Sequence, residues 1–392
     1  MAAVILLALA GCQASPSSQG PSASAPRTVV PLPTSTETPS PTADAFTSQL
    51  NCSKPVTATH GLALFEYAGS SVLGILDVSN PLKPALLCWL SGASGGRFDQ
   101  ASNQIVFWIG NKLGAANLTS GKVVQTDTLQ AVPSEGFFSS DGTEFAYRTG
   151  DDSVTGMSLH LYRRADQRDL RLYTQDPLGG HGGPPYGPLD QLQFSPDGKL
   201  LLDFYEFRPS SGTPPRFMVF RTADGSVAYQ LETGEFGAWA PSGSTVYFFV
   251  QGEQGFIGEL DSVGASGQAQ TVVSSINGFF WPSVTPDGAS IVYETYDGAG
   301  LPHISRFDLA THAVAQLSTA ISSKPVFITK TVLWSDEEKP CVCGLGGQSA
   351  PDGVIVAHSV GGVTDSPVDT SNTAPGVGAP QPTTTGIVDV WY

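Results

Sequence analysis

Few residues in this 392-residue chain combine the type and the spacing that chemistry needs. Gly92-Ala93-Ser94-Gly95-Gly96 satisfies the G-x-S-x-G pattern of a serine nucleophile. A nucleophile elbow needs a strand before the serine and a helix after it, and the Gly-rich surroundings predict a connecting loop instead. His181-Gly182-Gly183-Pro184 has the composition of an oxyanion loop, yet no hydrolase domain follows it and a Gly/Pro surface insertion is expected. Cys341-Val342-Cys343 places two thiols together, but a four-thiolate site shows two close pairs, and Cys52 and Cys88 are far apart in sequence. No metal is expected. Asp151-Asp152 and Glu337-Glu338 are acidic pairs in expected turns, where solvation is the usual reason for charge and calcium the alternative. His60, His160, His303, His312 and His358 stand singly, without metal-ligand spacing, as surface or packing residues. No cofactor is expected.

A second set of residues gains meaning only from periodicity. Ser140-Asp141-Gly142, Ser195-Pro196-Asp197-Gly198, Ala240-Pro241-Ser242-Gly243 and Thr285-Pro286-Asp287-Gly288 each follow an aromatic or β-branched residue (Phe138, Phe194, Trp239, Val284) and precede a short β-forming run. Pro presets φ, Asp or Ser bonds the local backbone, and Gly takes the left-handed conformation that folds one strand back on the next. Asp197 to Ser242 and Ser242 to Asp287 are both 45 residues, the length of a four-stranded propeller blade. Ser53-Lys54-Pro55-Val56 aligns with Ser323-Lys324-Pro325-Val326, 270 residues away, which is six such steps. Arg97-Phe98 leads a degenerate copy. The fold class expected is all-β, a propeller of seven four-stranded blades starting near residues 53, 97, 136, 190, 236, 281 and 323, with a six-bladed ring as the alternative. The long third repeat places an insertion at Pro177 to Pro188, and Ile387 to Tyr392 is expected as the outer strand of the last blade.

Inner strands of a propeller line its central channel and converge on one face, so a site is expected there. The residues six or seven before each turn position are Glu135, Asp190 and Gln191, Glu235, and Trp281. Lys54, Arg97 and Lys324 lie near the matching starts of the weaker blades. Acidic and basic groups with one Trp could bind a polar ligand or a peptide end; as solvated ion pairs they would be structural. Two carboxylates such as Glu135 and Glu235, set about 5 to 10 Å apart, would suit acid/base work on a glycan.

Phe194-Ser195-Pro196-Asp197-Gly198-Lys199 and its relatives at 138 to 142 and 284 to 288 resemble the repeat of TolB-type propellers. Gly74-Ile75-Leu76-Asp77-Val78 and Ile304-Ser305-Arg306-Phe307-Asp308-Leu309 resemble the third strands of that family. The resemblance covers roughly residues 53 to 392. It implies fold more than function, because such propellers serve as adaptors, sensors and peptidase lids alike.

The amino terminus bears on location. Ala2 to Leu9 is apolar but too short to span a bilayer, and Leu9-Ala10-Gly11-Cys12 resembles a bacterial lipobox, with Cys12 as the lipidated residue. Residues 1–12 are thus expected as a lipoprotein signal, 13–50 as a disordered Ser/Thr/Pro-rich tether, and 51–392 as the propeller. The protein is expected to be exported and held by its lipid on the outer face of a bacterial membrane. Of the remaining cysteines, Cys52 pairs with Cys88 inside the first blade, or with Cys341 or Cys343 to staple the ring. The net charge of −16 disfavours nucleic acid, which needs clustered Lys and Arg. The function expected is a monomeric, non-enzymatic binding propeller for an envelope protein, peptide or glycan, with a glycan-acting propeller enzyme as the rival.

Overall fold

The repeated turn is locked by one hydroxyl and one carboxylate. Ser139, Ser195 and Thr285 donate to Oδ1 of Asp141, Asp197 and Asp287 at 2.7, 2.8 and 2.6 Å. The same hydroxyls accept the amides of Glu144, Leu200 and Ser290, each at 3.0 Å, and so set where the next strand begins. Gly142, Gly198, Gly243 and Gly288 take φ between 68° and 72°. Each donates its amide to the carbonyl three residues earlier. In the fifth blade Ala240 and Ser242 replace the hydroxyl and the carboxylate, and the turn is kept by the Gly243 amide on the Ala240 carbonyl, the Ala240 amide on the Thr245 carbonyl and the contact of the Ser242 and Ser244 hydroxyls.

The computed structural model describes residues 49–56, 61–67, 71–151, 156–175, 191–205, 216–231, 233–252, 257–339, 350–361, 365–373 and 387–391. Cys12, most of the tether, the segment Pro177 to Pro188, Asp190, Cys341 and Cys343 lie outside them. The first blade contains β1 (Asn51–Cys52), β2 (Leu62–Glu66), β3 (Val72–Asp77) and β4 (Ala85–Ser91). The second has β5 (Ser94–Asp99), β6 (Gln104–Ile109), β7 (Lys112–Asn117) and β8 (Val123–Thr128). The third has β9 (Glu135–Phe138), β10 (Glu144–Asp151), β11 (Gly156–Arg163) and β12 (Arg168–Gln175). The fourth has β13 (Gln191–Phe194), β14 (Leu200–Tyr205), β15 (Arg216–Arg221) and β16 (Val227–Leu231). The fifth has β17 (Glu235–Trp239), β18 (Val246–Gln251), β19 (Ile257–Val263) and β20 (Ala269–Asn277). The sixth has β21 (Phe280–Val284), β22 (Ser290–Tyr296), β23 (Pro302–Asp308) and β24 (Val314–Gln316). The seventh has β25 (Ser322–Phe327), β26 (Val332–Lys339), β27 (Ala350–Ser359) and β28 (Ser366–Pro367), and β29 (Ile387–Trp391) follows. All pairings are antiparallel, and the seven sheets are the seven blades of a propeller. β3 and β23 are third strands, as their resemblance implies.

The radial order follows from contacts and exposure. First strands of successive blades approach one another, β29 with β5, β5 with β9, β9 with β13, β17 with β21 and β21 with β25, so they form the inner ring. Second strands such as β2 and β22 are buried, whereas the fourth strand β24 is exposed throughout.

Ring closure differs from the expectation. β29 is the inner strand of the first blade, pairing Leu62 with Trp391 and Leu64 with Asp389, and is not the outer strand of the last. The last blade already has β28 as its fourth strand, whereas β2 would otherwise present an unpaired edge to the ring. Ser53-Lys54-Pro55-Val56 is consequently not an inner strand. It follows β1, the outermost strand of the first blade, where Ser53 donates its amide to the Leu87 carbonyl. Cys52 faces Cys88 across β1 and β4, and the two are disulfide-bonded. The bond stays within one blade.

Apolar side chains pack between blades, with one cluster for each neighbouring pair. Leu64, Ile75, Phe98 and Phe107 join the first blade to the second, and Leu202, Phe217, Trp239 and Phe248 join the fourth to the fifth. Ala63, Phe65, Trp334 and Ile355 close the seventh onto the first. Each fully buried Leu or Phe contributes roughly 1.5 to 3 kcal/mol, and no blade could bury either face alone.

Two predictions follow from the turns. Gly198→Val is expected to lower stability by roughly 1 to 3 kcal/mol in denaturant titration, because valine at positive φ is strained. A Cβ there would meet nothing closer than Ser139 at 3.9 Å, so the loss isolates backbone strain, and Gly298→Val, in open space without positive φ, is the silent control. The second concerns pH. Asp197 is held below the ordinary carboxylate range by Lys199 and then Ser195, and Asp287 by the Thr285 hydroxyl and the Ala289 amide. Depressed folded values mean stability that is present above the unfolded pKa of about 4 and is lost as pH falls through the folded values. Asp287→Asn should flatten the decline of the denaturant midpoint below about pH 4.

Candidate functional site

One position organises the inner ring: the residue three before the last apolar residue of each inner strand. It is Gly95, Glu135, Gln191, Phe236, Trp281, Lys324 and Val388 in the second to seventh and first blades, ahead of Phe98, Phe138, Phe194, Trp239, Val284, Phe327 and Trp391. At Gly95, Phe236, Trp281 and Lys324 the backbone is left-handed, with φ of 46°, 46°, 50° and 53°. The pairing register slips at the same places, between Ser94 and Arg97, Glu235 and Gly237, Phe280 and Ser283, and Ser323 and Val326. A bulge of this kind re-aims a side chain. For a non-glycine residue it costs on the order of 1 to 3 kcal/mol.

The next residue faces a crowded interface. A Cβ on Gly136 would lie 2.3 Å from the Phe145 ring, and one on Gly96 2.7 Å from Leu64. Gly237, Pro282 and Pro325 occupy the same position in three other blades, and both prolines are buried. Proline lacks an amide donor, so it fits where the ladder is interrupted. Carboxylates from the preceding blade cap two of the bulges: Gly95 donates its amide to Glu66 and Lys324 to Glu294, each at 3.2 Å. Burial pushes the Glu66 carboxyl above its ordinary range.

Most of the charges on this ring are already engaged. Arg148 of β10 is 1% exposed and bonds Glu135 at 2.7 Å and Asp203 of the next blade at 2.5 Å. Tyr173 donates to the other Asp203 oxygen at 2.9 Å. Burial pushes the Glu135 carboxyl up, against the attraction of Arg148 and with Asp203 sharing the same guanidinium. Arg97 lies 3.5 Å from Asp389, which also accepts the Phe98 amide at 2.7 Å. Burial raises Asp389 despite Arg97. Glu294, 4% exposed, additionally accepts the Tyr296 hydroxyl at 2.8 Å. Trp281 and Lys324 remain partly exposed on neighbouring inner strands, the Lys324 ammonium 5.9 Å from the indole centroid.

The structure therefore brings Arg97, Glu135, Gln191, Trp281 and Lys324 onto the inner ring. Glu235 opens β17 one residue ahead of the organising position, which Phe236 takes, so it is out of register with Glu135. Lys54 is exposed at the rim of the first blade, because β29 supplies the strand it was aligned with. Asp190 lies outside the described residues. Ser94 opens β5 instead of a loop, still with no helix after it.

Arg148, Asp203, Glu294 and Asp389 escape the sequence argument. For Arg148, Asp203 and Glu294 the signal is a single charge closing or interrupting an apolar second-strand run, as in Ala146-Tyr147-Arg148, Leu201-Leu202-Asp203 and Val292-Tyr293-Glu294. Another constellation has the order of a serine-hydrolase relay: Ser335 Oγ is 2.6 Å from His358 Nε2, and His358 Nδ1 is 2.9 Å from Asp365. Ser335 and His358 are 0% and 1% exposed, out of reach of a substrate. Asp365 also accepts the amides of Thr319 and Ala320, so the group is a strut between the sixth and seventh blades. Burial holds the imidazole below its ordinary pKa.

No family model matches the sequence, and no curated protein matches it. Solved structures resemble it. The tricorn protease superposes with a TM-score of 0.51 at 7% identity, covering 84% of this chain and 35% of that one. An oligogalacturonate lyase in complex with manganese gives 0.47 at 16% identity, with 82% and 88% covered. TolB from Acinetobacter baumannii gives 0.40 at 13% identity, with 64% and 62% covered. At these identities the likeness is one of fold.

Arg148→Met should cost about 3 to 5 kcal/mol in chemical denaturation, since it leaves Asp203 charged and buried without its partner. Adding Asp203→Asn should recover much of the loss, and unchanged melting of the single variant would refute the buried pairing.

Proposed function

We propose that this propeller is a non-enzymatic binding module of a bacterial envelope, held to a membrane by a lipid on Cys12 and engaging an envelope protein, peptide or glycan through its inner ring. One observation carries the reading: Arg97, Arg148, Glu135 and Asp389 are tied in ion pairs, while Trp281 and Lys324 stay partly exposed at strained positions. Groups locked in pairs hold a ring together. A partly exposed indole offers the kind of apolar platform that dominates recognition energetics. The amino-terminal sequence supports the anchor, and the Ser/Thr/Pro composition of residues 13 to 50 supports a tether long enough to present the ring to a partner.

An enzyme working through Glu135 and Glu235 is the rival, favoured by the raised Glu135 carboxyl. The bond from Arg148 to Glu135 weighs against it, because a general acid must be free to exchange its proton with a substrate.

Capture of a partner from solubilised native envelope by the full chain tests the reading. Trp281→Ala should weaken capture by about 2 kcal/mol or more with little change in melting, whereas Glu135→Gln should leave it nearly intact. Full capture by Trp281→Ala would remove the inner ring from recognition. The anchor has its own test: Cys12→Ala should shift the protein from the detergent to the aqueous phase, because two or more acyl chains bind a membrane far more strongly than one. Unchanged partitioning would overturn it.

A further inference from the structure

Four inner strands carry the left-handed bulge, and the second blade makes it with Gly95, the residue that adopts this backbone without strain. Three blades use a large residue instead. In the fifth, Phe236 is 2% exposed and packs against Phe280 with ring centroids 4.7 Å apart, so core burial offsets its strain. Trp281 and Lys324 have no such compensation, because both are partly exposed. Strain retained at exposed side chains, where glycine would serve the fold, is the mark of a site under a functional constraint.

The charge bookkeeping around Lys324 identifies what that constraint selects. Arg97 faces Asp389, and Arg148 faces Glu135 and Asp203. The nearby Glu294 is engaged by the Lys324 amide and the Tyr296 hydroxyl. Among the described residues the Lys324 ammonium makes no ion pair, and its recorded contact is the indole of Trp281 at 5.9 Å. Its backbone, pinned by the bulge, by buried Pro325 and by the amide bond to Glu294, fixes where the side chain starts. An ammonium over an indole ring, presented by rigid strands, complements a carboxylate carried on a ring or other flat apolar body.

Resting on the binding reading above, we infer that Trp281 and Lys324 form a carboxylate-recognition shelf: Lys324 takes the anionic group, and Trp281 takes the apolar face of the body that bears it. Both a peptide carboxyl terminus and an acidic sugar present this chemistry.

The test uses the full chain in detergent, with binding followed by calorimetry. The probes are N-acetylphenylalanine against its amide, and glucuronate against glucose. The acid of at least one pair should bind at least tenfold more tightly than its neutral counterpart, the preferred pair naming the source, and raised salt should erase the difference. Lys324→Gln should abolish the discrimination, and Trp281→Ala should weaken the preferred acid at least tenfold. Lys324→Gly should also abolish discrimination, yet melt no lower than wild type, because glycine relieves the left-handed strain; this separates lost recognition from a lost fold. Equal binding of acid and neutral probes, or no binding of either acid at millimolar concentration, overturns the shelf. Envelope capture that depends on Trp281 but not on Lys324 overturns the shelf while sparing the binding module. Capture that depends on neither removes the inner ring from recognition, and the shelf with it.

Discussion

The contact on which everything else depends is the apolar face shared by neighbouring blades. A four-stranded sheet has two faces, and here each is covered by the next sheet round the ring, with one buried cluster for every neighbouring pair. Polar bonds cross the same seams: Tyr162 donates to Asp127, Trp239 to the Gln193 carbonyl, Arg306 to the Val360 carbonyl and Trp334 to the Pro81 carbonyl. They add modestly to stability but fix register. The burial supplies the driving force, and it is available only when the ring is closed.

Closure accordingly takes two devices at one seam. β29 enters the first blade as its inner strand, and the segment after β28 crosses from the seventh blade to the first, where Asp369 bonds the Leu82 carbonyl and Leu86 bonds the Asn372 carbonyl. The buried Tyr67 hydroxyl bonds the Thr373 carbonyl beneath it. β29 is thus built into the first blade, and the disulfide of Cys52 with Cys88 holds the outermost strand of that same blade.

Packing density also shapes the inner ring. In five of the seven blades the crowded position after the organising residue is glycine or proline, namely Gly96, Gly136, Gly237, Pro282 and Pro325, while Leu192 and Asp389 hold it in the other two. Charges brought into this narrow space are desolvated, and they persist because a partner on an adjacent strand or blade neutralises them. The functional reading grows out of that same accounting. Groups that must be paired to be tolerated are committed to the fold, and the partly exposed groups at a strained backbone are the ones the proposal assigns to a ligand.

Local sequence determined the turns, because hydroxyl, carboxylate and glycine act within five residues of one another; Ser195, Asp197 and Gly198 specify their hairpin without any other blade. Repetition of that turn, twice at 45 residues, indicated the propeller, and the weaker copies indicated seven blades with six as the alternative. Glu135, Gln191 and Trp281 could be placed on the inner ring by counting back from the turn, and Arg97 and Lys324 by aligning the weaker copies of the repeat. Counting failed at Glu235 because it lies seven residues before Ser242, whereas Glu135, Gln191 and Trp281 lie six before their turn residues, the place that Phe236 takes in the fifth blade. Lys54 was misplaced because the motif Ser-Lys-Pro-Val occurs twice in the sequence but is an inner strand only at Ser323 to Val326. Which edge β29 joins, which carboxylate meets Arg148, and that Arg97 is neutralised while Lys324 is not, were decided by tertiary structure alone. Those outcomes depend on contacts between residues as far apart as Phe98 and Asp389, and a free edge or an unpaired buried charge exists only after the ring has formed.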